Sequence, residues 1–323
     1  MLRVSLLFLA TSIAPALYAQ DLVEFENGQV ANADDINTNF QILNDNLATV
    51  YDDPSNRENQ WHRLYIDVDC TEDSSALETA YTETLNKDRL VFSITGTCVF
   101  QDALDIAARY ISITGPLTED YSDCATPMPV LVTQGGLESD YGTNILVNNS
   151  GSLNLNCVTL GDPERDGGSA LVQAFANSMI RMDRIVEAVD GGVLTVNVRQ
   201  AGLFRYLGYT QEHGFSGALY SRMGKSELYG GATNISILIL RNGSKFNCHI
   251  CGGSLDFVAL EDGSSMYFRP VYGDVLINEA SLEPGSQIYA GSYNDFDVTI
   301  STLNYRDPAA WGKTIYSGSD LAP

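Results

Sequence analysis

Positive charge is scarce in this 323-residue chain. Eighteen Lys and Arg stand against 41 Asp and Glu, and only Lys87, Lys225, Lys245 and Lys313 are lysines. Nucleic acids and anionic membrane surfaces require basic patches, so this balance argues against both as partners. Long apolar runs are missing too: Val4 to Ala14 is too short to cross a bilayer, which takes about 20 residues, and no later segment approaches that length. There is no G-x-S-x-G elbow, no H-E-x-x-H, no phosphate-binding Gly loop and no D-x-[DN]-x-[DN]-G calcium loop. With only His62, His213 and His249, a zinc site lacks ligands. No metal or cofactor is therefore expected, with structural calcium left open.

What is present begins with a secretory signal. Arg3 precedes the short apolar run, and cleavage fits after Ala19 (Leu-Tyr-Ala) or Ala16 (Ala-Pro-Ala). Residues 1–19 are read as this signal, the competing reading being a membrane anchor. The mature chain is expected to be exported, either secreted or held at the cell surface, without membrane insertion. It then carries 17 basic and 41 acidic residues, a net charge of −24. The acidic excess serves solubility, or the binding of cations or a positively charged partner.

Six cysteines in an exported chain point to disulfides. Fifteen pairings are possible. Order and spacing favour Cys70–Cys98, Cys124–Cys157 and Cys248–Cys251. The last is a C-x-x-C between β-rich segments, not at a helix start as in redox motifs, so a structural bridge is expected.

Residues 20–53 form the first organised piece. Ile36, Phe40, Leu43, Leu47 and Val50 follow each other at intervals of four, three, four and three, the spacing of a coiled-coil seam. Asn32 suits the N-cap, and Asp34 and Asp35 favour the helix dipole. So short a helix must pack on its own chain or on copies of itself. The stretch FENGQVANADDINTNFQILNDNL resembles a segment near the start of many exported bacterial and phage-tail-type fibre proteins. There an aromatic-x-x-Gly precedes an Ala-Asp-x-(Ile/Val)-Asn-x-Asn-Phe-x-x-Leu helix. That resemblance implies a trimerising or attachment element and says nothing about chemistry.

Residues 54–63 read as a linker, 64–305 as the body and 306–323 as a C-terminal tail. In the body, an amphipathic helix is predicted from Ser74 to Leu85, followed by alternation at Leu90-x-Phe92-x-Ile94 and Ile111-x-Ile113. This stretch resembles the opening of pectin-lyase-like right-handed β-helix proteins, in which a capping helix covers the first rung. Gly-led strand starts recur at Gly151, Gly192, Gly224, Gly243, Gly253, Gly263 and Gly285. Several lie near 10 or 20 residues apart, as in a solenoid. Leu153-x-Leu155-x-Cys157 and Leu194-x-Val196-x-Val198 would point inward, and Asn154, Asn156, Thr195, Asn197 and Arg199 outward. The predicted fold is thus all-β: a right-handed parallel β-helix of roughly ten coils behind a short N-terminal helix. The alternative is an antiparallel β-sandwich, for which Asp190-Gly191, Asn242-Gly243 and Asp262-Gly263 are hairpin signals.

Three functions fit this architecture. The first is an exported structural or adhesive protein, trimeric through the helix, presenting its β-helical surface to a glycan or surface receptor. The second is a polysaccharide-degrading enzyme, which needs a base and a charge clamp or a pair of carboxylates. Arg181, Arg184, Arg199, Arg205, Arg222, Arg241 and Arg269 would serve only if some stack in register, and the Arg-x-Pro-x-x-Arg signature of pectate lyases is absent. Asp183 with Glu187, or Asp256 with Glu261 and Asp262, are the carboxylates to weigh. The third function is a monomeric glycan-binding module. One segment, Gly202 to Tyr220, is dense in aromatics. Phe204, Tyr206, Tyr209 and Tyr220 are its candidate binding platform, set against a loop pinned by its own rings.

Overall fold

The computed structural model describes residues 63–305 and 315–317, apart from 120–122, 135–142, 163–168, 190–191, 209–212 and 291–295. The signal segment, the heptad stripe and Tyr209 lie outside the described residues. The chain winds into a right-handed parallel β-helix of about nine turns. Among the described residues every strand-to-strand pairing is parallel, which removes the sandwich alternative.

Sheet I stacks β1 (Leu64–Cys70), the first part of β2 (Arg89–Phe100), β4 (Tyr110–Thr114), and the first parts of β7 (Ser152–Leu160) and β9 (Met179–Ala188). It continues through β11 (Leu203–Leu207), the first parts of β13 (Lys225–Arg241), β14 (Lys245–Leu260) and β15 (Ser265–Leu282), and β16 (Gln287–Ala290). A last strand, β18 (Ile315–Ser317), pairs with β16 and carries the β-helix into the segment expected as a tail.

Sheet II stacks β3 (Leu104–Ala107), β6 (Thr143–Asn148), β8 (Ala170–Ala174), β10 (Leu194–Arg199) and β12 (Ser216–Arg222). The second parts of β13, β14 and β15 follow, then β17 (Val298–Tyr305). A short sheet III, with β5 (Val130–Thr133) between the ends of β2 and β7, lies in the early coils.

Alternation along each sheet I strand feeds two inward columns. One runs Leu90, Ile111, Leu153, Ile180, Phe204, Ser226, Phe246, Met266, Ile288, and the other Phe92, Ile113, Leu155, Met182, Tyr206, Leu228, Cys248, Phe268. All are buried. Each large apolar member contributes roughly 1.5–3 kcal/mol by leaving water. Phe204 and Tyr206 therefore belong to the core. Both rings meet the buried Phe215 edge-on, at 5.4 and 5.9 Å. The expectation that they form an exposed platform is corrected, because strand register turns them inward. Of that set, Tyr220 is half-buried on the outside of sheet II. Thr195 also departs from expectation, being buried although it faces outward.

The corner from sheet II back to sheet I repeats. Ser178, Ser244 and Ser264 each donate their N–H and hydroxyl to the carbonyl three residues earlier. Asn242-Gly243 and Asp262-Gly263 precede two of these serines with positive φ, so they turn the chain between parallel strands and form no hairpin. Helix α1 (Ala76–Glu83), shorter than the Ser74–Leu85 expected, buries Leu77 against the first coils. Arg109 closes its C-terminal end by donating to the carbonyls of Thr84 (2.8 Å) and Lys87 (3.0 Å).

All three disulfides match the favoured pairing. Cys70–Cys98 ties β1 to β2, Cys124–Cys157 anchors the excursion after β4, and Cys248–Cys251 closes a local loop within β14. They indicate an oxidising environment. Among the described residues, no helix is long and apolar enough to cross a membrane.

Candidate ligand-binding flank

Outward positions on sheet I also stack, at the strand spacing of about 4.8 Å. Register aligns Ser112, Asn154, Arg181, Arg205, Glu227, Asn247, Tyr267 and Tyr289 in one row. A parallel row includes Lys225, Lys245 and Ser265. In a chain so poor in cations, Arg181, Arg205, Lys225 and Lys245 thus gather on one face.

Glu227 is the electrostatic centre. Its side chain is only 5% exposed. Arg205 donates to its Oε2 through Nη2 (2.6 Å) and Nε (3.0 Å), Lys225 pairs with Oε1, and the Tyr229 hydroxyl lies 3.4 Å from Oε2. Burial alone would raise this carboxyl's pKa. The hydrogen bonds and charges of Lys225 and Arg205 outweigh it, and the pKa ends below its ordinary value. Glu227 is therefore ionised, and it fixes both cations in place. One rung earlier, Arg181 pairs with Asp183 (2.8 Å).

His249 joins this group through a bulge. Leu228 pairs with Cys248 but Tyr229 pairs with Ile250, so His249 is the extra residue, and the Cys248–Cys251 bridge closes the distortion. Its ring stacks on Tyr229 and leans toward Tyr267, with centroids 6.4 Å apart. Burial lowers its pKa most. Lys225, Arg269 and Arg205 lower it further, against the opposing pull of Glu227. The imidazole is neutral at pH 7. Asn247, between Glu227 and Tyr267, and Lys245 have no side-chain partner among the described residues. The flank so offers fixed cations, a free amide, a neutral imidazole and Tyr rings in sequence.

Of the arginines weighed from sequence, Arg181 and Arg205 stack in register here. Arg199, Arg222 and Arg241 stack along the edge of sheet II, where Arg241 pairs with Glu261 at 2.7 Å. Asp183, held by Arg181, and Glu187 both act on the Tyr206 phenol, whose pKa burial and these two charges raise, while Asp256 accepts from Asn278 (3.0 Å) and Glu261 belongs to the sheet II edge. Glu227, Tyr229 and Tyr267 were not singled out. The available signal was Lys-x-Glu-x-Tyr at a Gly-led strand start, which places all three side chains outward. No protein-family model, curated protein or solved structure matches this chain.

Proposed function

We propose that this chain is an exported attachment protein whose sheet I flank binds an acidic glycan on a surface. The observation that carries this reading is the concentration of Arg181, Arg205, Lys225 and Lys245 beside Tyr267 and Tyr289, in a molecule of strongly negative charge. Carboxylate or sulfate groups would meet the cations, sugar faces would lie on the rings, and Asn247 would take hydroxyls. Residues 20–53 would assemble three chains, and three weak sites in one particle would gain avidity.

Surface plasmon resonance on immobilised polygalacturonate and heparin tests it. Binding should weaken as salt rises, and Lys245→Ala should reduce it at least fivefold. Binding of neither polymer at low salt would sink the proposal. Light scattering of the mature protein with and without residues 20–53 tests assembly, with a trimer expected to fall to monomer.

A second reading, cleavage of such a glycan, is favoured by the neutral His249 beside two tyrosines and the Arg205 and Lys225 charges. Purified protein that shortened polygalacturonate, and lost that activity in His249→Gln, would establish it over attachment.

A further inference from the structure

Sheet II carries a groove of about 580 Å3 that takes no part in the cation row. This volume lies within the roughly 300–1,000 Å3 typical of small-molecule sites. It spans the second to fourth coils, and register explains its lining. Asp105, Leu146 and Gln173 occupy one outward column, and Asn148 and Phe175 the next. Asp102 stands at its rim, in the turn before β3.

Part of its polar lining has no protein partner among the described residues. Asn148 donates its amide to Asp105 Oδ1 (2.8 Å), and its own carbonyl oxygen is enclosed without a donor. Asp102 and Gln173 have no side-chain partner among the described residues, although Gln173 is half-buried. The enclosed Asn148 oxygen costs stability, whereas the exposed Asp102 and half-buried Gln173 remain open to a ligand. Leu146 and Phe175 provide an apolar wall, with the Arg199 guanidinium over the Phe175 ring at 5.4 Å from its centroid.

The chemistry selects the occupant. Acceptors predominate, so the ligand must bring donors, and an apolar wall with an aromatic ring calls for a flat C–H face. A pyranose ring offers both. Two carboxylates, Asp102 and Asp105, line the groove against one cation at its wall, Arg199 over Phe175, and this negative balance disfavours carboxylate- or sulfate-bearing sugars. We infer that this groove binds a neutral oligosaccharide, a second site whose charge preference is opposite to that of the sheet I flank. The molecule then holds two different sugars on different faces, and the inference stands independently of the acidic-glycan reading.

Isothermal titration calorimetry of the mature protein tests it. The probes are the hexaoses of β-1,4-linked glucose, β-1,4-linked mannose and α-1,4-linked glucose, with hexagalacturonate as the charged counterpart. At least one neutral hexaose should bind with a Kd on the order of 0.1–1 mM. Gln173→Ala and Phe175→Ala should each weaken it at least tenfold, and Lys245→Ala should leave it unchanged. Gln173→Ala removes a partnerless surface amide, so its folding is secure even if Phe175→Ala destabilises the coil. The inference is overturned if no neutral hexaose binds at millimolar concentration, or if Gln173→Ala binds as the parent does. Displacement of the neutral sugar by hexagalacturonate would overturn it as well.

Discussion

The His249 imidazole lies parallel to the Tyr229 ring, with centroids 4.6 Å apart and planes 13° from coplanar orientation. Two features hold it there: the single-residue bulge of β14 and the disulfide that spans it. Stacking and partial burial reduce the hydration of the imidazole, so the fold favours its neutral form.

His249 should therefore titrate below its ordinary value of 6.5. A depressed pKa means that its contribution to stability is complete above 6.5 and is lost as pH falls through the folded value. Chemical-shift titration of the ring protons should place the midpoint below 6.5. In a Cys248→Ser, Cys251→Ser double variant the bulge is no longer pinned and the midpoint should move up. Stability should fall by roughly 2 kcal/mol, as for a bridge closing a very short loop. An unchanged midpoint would separate the disulfide from the placement of His249.

Glu227→Gln tests the clamp. The neutral amide keeps the shape but loses charge-assisted bonds to Arg205 and Lys225, at a cost of about 2 kcal/mol at pH 7. The parent's pKa is lowered from 4.5. Its advantage should be complete above pH 4.5 and disappear as pH falls through the folded value. Urea denaturation of both proteins at several pH values reads this directly. Equal stability at pH 7 would count against it.

Ser226 occupies a core column between Phe204 and Phe246, and its buried hydroxyl has no partner among the described residues. Ser226→Ala removes an unsatisfied polar atom from an apolar stack. Thermal unfolding should show a gain of about 1 kcal/mol. A loss would mean that the hydroxyl is satisfied.

Two glycines with similar φ, +72° at Gly243 and +83° at Gly231, face different surroundings. A Cβ at Gly243 meets nothing within 4 Å, whereas one at Gly231 would sit 1.7 Å from the His213 carbonyl oxygen. Gly243→Ala should cost about 1–2 kcal/mol from conformation alone. Gly231→Ala adds a backbone clash and should prevent the corner from closing, seen as loss of the cooperative melt. Similar melts for the two would contradict the packing described at Gly231.

The coil pattern was readable because inward apolar columns impose alternation on every strand and the return corner demands left-handed residues. Leu153 and Leu155, Leu194 and Val196, and Gly243 and Gly263 all carry that imprint. The disulfide pairing followed from the order and spacing of the cysteines. The candidate flank was harder to see. Its members are separated by unequal intervals: Arg181 to Arg205 is 24 residues, Arg205 to Glu227 is 22 and Glu227 to Asn247 is 20. A fixed repeat cannot align them, and the bulge at His249 shifts the phase again. The aromatic segment misled for a related reason. Composition singles out Phe204 and Tyr206, but only register with β9 and β13 says which way they point.

Ser226, Phe246 and Met266 succeed one another at a constant 20 residues, and the serine corners at Ser244 and Ser264 keep the same step. The stretch 245–264 is thus a self-contained spacer, disulfide included. Duplicating or excising it would rejoin matching corners and matching columns, lengthening or shortening the molecule by about 4.8 Å. The reach of this protein is adjustable in whole steps, like the links of a chain, and each step carries its own Lys245, Asn247 and His249 on the sheet I flank.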